Sequence, residues 1–242
     1  MGKILKYDLK RLLVSKFFIG LFVINGLFAW YVLTSDTIAG TAYTAPFSPW
    51  SFGAYLASVM PVSMLAVLFL LAFYYSGAEK QVEALTAATP VDAVGYALIR
   101  IAAVSLGFAA LLFMTVGLGA CFYAVFFGYW HYAAFLPPLA ATVLPCFVFV
   151  LGAERLAGRV HPGLVYALML VSLAAGFAKS PGAFDFFGGG YYMSAPMSLP
   201  PGVDGEPAFV LSAAFLAGRA GYLAIGAVML AASIHRTGRK AG

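Results

Sequence analysis

The stretch SGAEKQVEALTAATPVDAVGYALIR, residues 76–100, lies between two long apolar runs. Among the polar segments that separate apolar runs, it is the longest that carries charges of both signs. Ser76 followed three residues later by Glu79 forms a capping box, which predicts the start of a short helix. A proline disfavours the α conformation in the residue before it, so this helix should end before Pro90. The stretch therefore predicts a short capped helix over 77–89, with a long apolar helix after it.

The composition is that of a protein embedded in a membrane. Of the 242 residues, 63% are hydrophobic and 10% are charged, whereas soluble domains have about 25% charged residues. The mean hydropathy is +0.94, and several apolar runs approach the ~20 residues that a transmembrane helix needs. The runs lack the alternation of barrel strands. The fold class predicted is an all-α polytopic membrane protein.

The apolar runs divide the chain into six predicted spans, which form a single transmembrane domain over 1–242. Before the first span, residues 3–13 carry basic side chains on one helical face and apolar ones on the other, which predicts an elbow helix in the membrane interface. The fourth span should end before a polar loop that contains Glu154, Arg155 and Arg159. A segment rich in Gly, Pro and aromatics, 180–208, should form an extracellular or re-entrant structure. The spans are predicted at about 16–35, 52–75, 91–127, 134–153, 162–179 and 209–235.

Basic residues are distributed unevenly between the two sides of this arrangement. Only Lys179 lies in an opposite loop, and Arg219 lies inside a span. By the positive-inside rule, both termini and the 77–89 helix are cytoplasmic in a multi-pass protein of the plasma or inner membrane. The three tryptophans Trp30, Trp50 and Trp130 fall at the outer ends of spans, as an aromatic belt would. The twelve bases on the terminus side are Lys3, Lys6, Lys10, Arg11, Lys16, Lys80, Arg100, Arg155, Arg159, Arg236, Arg239 and Lys240.

The sequence carries no catalytic constellation. Its three histidines, His131, His161 and His235, lie at three different span ends and lack metal-ligand spacing. A phosphate-binding loop needs Gly-Lys followed by Ser or Thr, and the only lysine followed by either is Lys179, which Ala178 precedes. We therefore predict no catalytic residue, no metal site and no cofactor site in this chain, and no nucleic-acid partner.

Two polar residues fall within apolar runs. Asn25 should form hydrogen bonds between helices, with substrate contact as the second alternative. Arg219 should face a partner or water, because a charge inside the membrane costs several kcal/mol. If the last span begins near Leu216, however, Arg219 lies near its outer end and 209–214 belongs to a re-entrant helix. We favour this second placement.

The predicted chain resembles the ABC-2 type permeases, the membrane subunits of ATP-binding-cassette exporters. The features that carry the resemblance are a basic elbow, six spans, a long outer segment and the stretch Glu79…Leu85…Thr89-Pro90…Tyr96…Arg100. The resemblance covers essentially the whole chain. It implies that Glu79 to Ala88 is a coupling helix on a separate ATPase. It also implies two six-span permease chains, identical or homologous, and two ATPase chains that hold ATP and Mg. The ATPase-coupling residues would be Glu79, Lys80, Val82, Glu83, Leu85, Thr89 and Pro90.

The function that this resemblance implies is export of an amphipathic or hydrophobic substrate. Small permeases of the family with a similar Lys-Tyr-Asp-Leu-Lys-Arg elbow export, or give immunity to, amphipathic peptides such as lantibiotics. The chain itself would not be an enzyme. The alternative is a membrane protein outside this family, either a secondary transporter, which should show inverted repeats, or a scaffold. Candidate residues of an outer gate or pathway are Arg219, Asn25, Tyr191 and Tyr192.

Overall fold

The computed structural model describes residues 2–75, 93–177, 185–202 and 205–241. All regular secondary structure in these ranges is helical, which confirms the predicted all-α class. Short 3-10 turns precede α3 and α5 at Thr37–Ala39 and Tyr132–Phe135. The α-helices are α1 (Gly2–Leu13), α2 (Lys16–Ser35), α3 (Pro49–Phe73), α4 (Ala93–Phe127), α5 (Leu136–Val160), α6 (Gly163–Phe177), α7 (Gly189–Ser198) and α8 (Ala213–Ala241).

Within the described ranges, five helical segments are long and apolar enough to cross a membrane, as in a multi-pass membrane protein. The helix α6 has 15 residues. At about 1.5 Å per residue it rises roughly 22 Å, less than the ~30 Å of a hydrocarbon core. Residues 178–184 lie outside the described ranges, so the fifth predicted span, 162–179, stays a prediction. The five segments are Lys16–Ala39, Pro49–Phe73, Val94–Phe127, Tyr132–Val160 and Ala213–His235.

The helix α3 is the centre of the bundle, with α2, α4, α5, α6 and α7 packed around it. Ser48 caps its first turn, with Oγ accepting from the Ser51 N–H at 3.1 Å, and Pro49 fills the first helical position. Within the apolar window of α3, 67% of the residues are buried, against 11% in that of α8. Most side chains in the apolar window of α8 therefore lie on the outer surface of the bundle.

The N-terminal helix α1 packs against α4. Leu12 is buried, and its Cδ2 would lie 3.0 Å from a Cβ on Gly107 of α4. The chain turns from α1 into α2 at Ser15, whose hydroxyl donates to the Leu12 carbonyl at 2.8 Å and accepts from the Phe18 N–H at 3.0 Å. The predicted helix over 3–13 is therefore present, joined to the first span by a capped turn.

The bundle has two chemically different ends. One, the aromatic end, holds the C-terminus of α2, the N-terminus of α3 and the turn between α4 and α5. The other, the basic end, holds the α1–α2 turn, the C-terminus of α3 and the start of α4. Rings that mark the aromatic end are Phe52, Tyr55, Phe122, Tyr123, Tyr129 and Phe135. Cations that mark the basic end are Arg11, Lys16, Arg100, Arg155 and Arg159.

Three expectations need correction. The fourth span does not end at residue 153, because α5 continues through Glu154, Arg155 and Arg159 to Val160, and Glu154 is buried. Residues 209–212 are not helical, so the expected helix over 209–214 is wrong. The helix in this part of the chain is α7, where Gly189 lies over Ala57 of α3 and the buried Tyr192 ring packs on Gly53 of α3.

The third correction concerns the expected belt of tryptophans. Trp30 and Trp130 are exposed, but Trp50 is only 1% exposed. Its Nε1–H donates to the Pro207 carbonyl at 3.2 Å, and its ring contacts Phe209 edge-on at 4.7 Å. Trp50 is thus a packing residue that holds the segment before α8.

Candidate functional site

The structure brings together three of the four residues predicted for the outer gate. Arg219, Tyr191 and Tyr192 belong to one group of contacts at α7, whereas Asn25 lies elsewhere, between α2, α3 and α4. The ATPase-coupling residues fall outside the described ranges, and their roles stay predictions. These residues are Glu79, Lys80, Val82, Glu83, Leu85, Thr89 and Pro90.

Arg219 is the centre of this group, which we call the Arg219 cluster: Cys146, Asp185, Phe186, Gly188, Tyr191, Tyr192, Phe215 and Arg219. The arginine lies in the second turn of α8 and is 4% exposed. Its guanidinium donates to the carbonyl of Asp185 at 2.7 Å and to the carbonyl of Phe186. The guanidinium carbon also lies 4.6 Å from the centre of the Phe215 ring. A buried charge is tolerated only with such partners.

The turn that receives Arg219 is built by Asp185 and Gly188. The Asp185 carboxylate accepts the Gly188 N–H at 2.9 Å and the Tyr191 N–H at 2.8 Å. Gly188 has φ +88, and a Cβ there would lie 2.8 Å from Nη2 of Arg219, so only glycine fits. Burial raises the pKa of the Asp185 carboxyl, while the Tyr191 N–H and Arg219 oppose that rise.

Tyr192 fixes α7 against the bundle. Its hydroxyl lies 3.0 Å from Thr142 Oγ1 in α5, and the side chain is fully buried. A Cβ on Gly53 of α3 would come within 2.6 Å of the Tyr192 ring. The ring therefore lies against the α3 backbone, and the absence of a side chain at residue 53 is what makes room for it.

Tyr191 ties α7 to the start of α8. Its hydroxyl donates to the Val210 carbonyl at 3.0 Å and accepts the Ser212 N–H at 2.7 Å. Its ring stacks on Phe215 with centroids 4.0 Å apart. The same phenylalanine lies under Arg219, so the stacked rings of Tyr191 and Phe215 connect α7 to the arginine.

The turn before α7 reaches well into the bundle. The Cys146 thiol donates to the Phe186 carbonyl at 3.0 Å. Cys146 lies ten residues after Leu136, the first residue of α5, which is roughly 15 Å along the helix at about 1.5 Å per residue. From that depth α7 runs back towards the aromatic end, where Trp50 holds Pro207. The described part of this segment, 185–202, therefore begins inside the bundle and runs to the aromatic end.

No family model, curated protein or solved structure matches this chain. The assignment of the site therefore depends on its geometry. Sequence analysis did not identify Cys146 and Phe186 as members of the site, because both resemble ordinary core residues. A signal existed in Asp185, which is the only acidic residue between 155 and 203 and is followed by three glycines, a composition typical of turns.

Asn25 bridges three helices. Its Nδ2 donates to Thr115 Oγ1 in α4 at 3.0 Å, and its Oδ1 accepts from Ser63 Oγ in α3 at 2.9 Å. The residue is 1% exposed. Nearby, the Tyr55 hydroxyl donates to the Thr115 carbonyl at 2.9 Å. These contacts confirm the helix–helix hydrogen bonding predicted for Asn25.

A cavity of about 410 Å³ opens at the aromatic end between α2, α3 and α7. Its walls are mixed: the Asp36 carboxylate and several hydroxyls stand beside apolar groups of Val32, Ala54 and Met193. Because Met193 belongs to α7, the helix that Arg219 anchors also forms a wall of this cavity. The residues that line it are Val32, Ser35, Asp36, Thr37, Gly40, Thr41, Ala42, Ala54, Tyr55, Ser58 and Met193.

At the basic end, the ends of α3, α4 and α5 meet beside the 76–92 segment. Glu154 is 0% exposed, and the Tyr75 side chain is its polar partner at this end. One turn further along α5, a Cβ on Gly158 would lie 2.2 Å from the Tyr75 hydroxyl. Arg155 Nη2 donates to the Ala97 carbonyl of α4 at 3.3 Å. The helix ends that flank 76–92 are therefore in direct contact.

Arg100, the last residue of the quoted stretch, belongs to the same end. It is 8% exposed, and its guanidinium carbon lies 4.9 Å from the Tyr74 ring centre and 4.6 Å from that of Tyr96. Its Nη2 donates to the Tyr96 hydroxyl at 3.0 Å. This cation joins the last turn of α3 to the first turns of α4 by cation–π contact.

Proposed function

We propose that this chain is the membrane permease subunit of an ABC exporter of the ABC-2 type. Two permease chains, identical or homologous, would work with two ATPase subunits that hold ATP and Mg. The cargo would be amphipathic or hydrophobic, and cationic peptides of the lantibiotic kind are the first class to test. The proposal combines the sequence resemblance with one structural observation.

The observation that carries the proposal is the anchored segment between α6 and α8. A buried arginine holds a turn roughly 15 Å inside the bundle, and the short helix α7 returns from it to the aromatic end. A turn inside the bundle followed by a helix that runs to the aromatic end supports the re-entrant outer segment that the resemblance implies for 180–208. It forms a wall of a mixed polar and apolar cavity, which suits an amphipathic cargo.

The charges of the two ends support a cytoplasmic position of the termini. Arg11, Lys16, Arg100, Arg155 and Arg159 lie at the basic end, which holds the α1–α2 turn, the end of α3 before residue 76 and the start of α4. By the positive-inside rule this end would face the cytoplasm. An ATPase would then find the coupling stretch on its own side of the membrane.

Purification of the complex tests the proposal. Affinity-tagged chain should retain an ABC ATPase, with a mass that fits two 25.6 kDa permeases and two ATPases. ATP-dependent uptake of a cationic amphipathic peptide into inverted vesicles should require both subunits. A stable and active particle with a single permease, or uptake that needs no ATPase, would contradict the proposal.

The coupling stretch gives the first mutational prediction. Replacing Val82 and Leu85 together by Asp should abolish ATPase co-purification, because each change places a charge where an apolar contact is expected. The comparison is Val160→Asp, at an exposed residue at the end of α5. If the double variant assembles normally and Val160→Asp does not, the coupling contact lies at the end of α5 instead.

A further inference from the structure

The mixed cavity at the aromatic end has an uneven charge. Asp36 follows the last residue of α2 and lines the cavity, and its carboxylate has no hydrogen bond or ion pair among the described residues. The cavity also receives the C-terminal end of α2, a helix of 20 residues, whose dipole places about half a negative charge there. None of the described residues that line the cavity is a cation. Asp36 and the helix terminus therefore give these described walls a negative potential.

The rest of the lining is suited to a short apolar chain next to that charge. Val32, Ala54 and Met193 present methyl and thioether groups, while Ser58 and Thr41 present hydroxyls. The volume of about 410 Å³ falls within the ~300–1,000 Å³ typical of small-molecule sites. A ligand that fits this lining has one cationic head and one apolar part.

The wall opposite α2 is held in place by the loop before α3. The Thr41 N–H donates to Ser51 Oγ at 3.0 Å, and Thr44 Oγ1 donates to the Thr41 carbonyl at 2.6 Å. Ala42 lies in the left-handed region with φ 52, which a non-glycine residue adopts at a cost. The cavity is thus formed by a fixed loop rather than by side chains alone.

We propose that this cavity binds the cationic ammonium group of an amphipathic molecule, with Asp36 and the C-terminus of α2 as the recognition elements. The inference deepens the proposed export function, on which its assignment to cargo rests. The binding site itself can be tested on the purified chain without any ATPase, so the two proposals fail in different experiments.

The probes are hexylammonium, hexanol and hexanoate, which share an alkyl chain and differ in charge. Binding is measured by calorimetry and by thermal unfolding of the full chain in zwitterionic nanodiscs, with empty nanodiscs subtracted. A second cavity of about 230 Å³, lined almost wholly by apolar residues such as Leu68, Phe149 and Leu168, can accept the alkyl chain of all three probes. The informative quantity is therefore the ratio of hexylammonium to hexanol affinity.

The decisive variants remove one negative charge each. Asp36→Asn should lower the affinity ratio about three- to tenfold, the size expected for a partly exposed charge with a helix terminus. Glu206→Gln is the matched control, because it removes a charge at the same end but keeps the Oε1 that accepts the Ala45 N–H. The ratio should also fall as salt is raised.

Two results would overturn the inference. One is equal binding of hexylammonium and hexanol by the unchanged chain. The other is an equal loss in Asp36→Asn and Glu206→Gln, which would mean that general surface charge and not this cavity attracts the cation. Loss in Asp36→Asn alone supports the site, whatever the ATPase experiment gives.

Discussion

At the scale of single residues, three buried polar groups show how this apolar chain specifies contacts between its helices. Asn25 and Arg219 form their hydrogen bonds across helices or to a distant turn. Glu154 is as deeply buried, and its polar partner is the Tyr75 side chain just after the end of α3. Inside an apolar bundle a polar group must be paired or it costs free energy, so paired groups fix the register of their helices.

Asn25→Leu should destabilise the bundle by about 1–3 kcal/mol, because two interhelical hydrogen bonds are lost at about 0.6–1.7 kcal/mol each. Leucine keeps the branching at Cγ, and the Ser63 and Thr115 hydroxyls retain bonds to carbonyls of their own helices. Thermal or denaturant unfolding in detergent measures the effect. Ser105→Ala is the control, since the Ser105 hydroxyl bonds only within α4; an equal loss in both variants would contradict the bridging role.

Arg219→Leu should release the turn before α7, and Cys146 can report that release. The thiol is buried beneath the Phe186 carbonyl. In a Cys121→Ala background, a permeant maleimide should label Cys146 at least about tenfold faster in Arg219→Leu, because hydrogen bonds to charged groups contribute about 1.5–3 kcal/mol each. Arg219→Lys keeps one donor group and should give an intermediate rate.

An unchanged labelling rate in Arg219→Leu would mean that the packing of Tyr192 alone holds the turn. Arg159→Leu, an arginine change at the basic end, provides the control for a general loosening of the bundle. Transport assays on the same variants then separate the two roles of Arg219. Lost transport with an unchanged labelling rate would assign Arg219 to the pathway itself.

At the scale of elements, the closest approach in the bundle is between α5 and α8. A Cβ on Gly152 would lie 2.4 Å from the Gly226 carbonyl oxygen, and a Cβ on Gly226 would lie 2.6 Å from the Phe149 backbone. Small residues at a crossing let backbones touch, which is how helices associate when lipid is as apolar as their side chains. The face of α8 that crosses α5 therefore requires a glycine at residue 226.

Gly226→Ala should lower the free energy of unfolding by about 1–3 kcal/mol, because the added methyl meets backbone that cannot move aside without separating the helices. Gly221→Ala on the same helix is the matched control: a Cβ there meets nothing within 4 Å. It should be neutral or stabilising, since alanine is the better helix former by about 1 kcal/mol. Similar unfolding temperatures for the two variants would refute the close crossing.

At the scale of the whole molecule, the two ends predict how the chain lies in the membrane. Ser198 is exposed at the end of α7, and His161 is exposed at the end of α5. In intact cells, a membrane-impermeant thiol reagent should label Ser198→Cys and leave His161→Cys unlabelled until the membrane is opened. Both variants carry Cys121→Ala. The reverse pattern would place the termini outside and exclude a cytoplasmic coupling stretch.

Much of the element order could be predicted because it depends on local signals. Apolar runs of about 20 residues predict spans, and the second predicted span, 52–75, differs from the observed Pro49–Phe73 by a few residues. The fourth span was predicted too short, since Glu154 and Arg155 resemble loop residues in sequence. Their helix continues because its end packs against Tyr75 and Ala97, which are distant in the chain.

The sequence by itself determined the helical class, the multi-pass type, the presence of a helix over 3–13 and the helix-bridging role of Asn25. Each of these follows from hydrophobicity and periodicity within a short window. The tertiary structure decided the position of α7, the burial of Trp50 and Glu154, and the partners of Arg219. These features depend on which surfaces meet in the folded bundle. The carbonyls of Asp185 and Phe186 accept hydrogen bonds from the Arg219 guanidinium only because Gly53, Gly188 and Cys146 leave room for that turn. No local sequence pattern encodes contacts between residues so far apart in the chain.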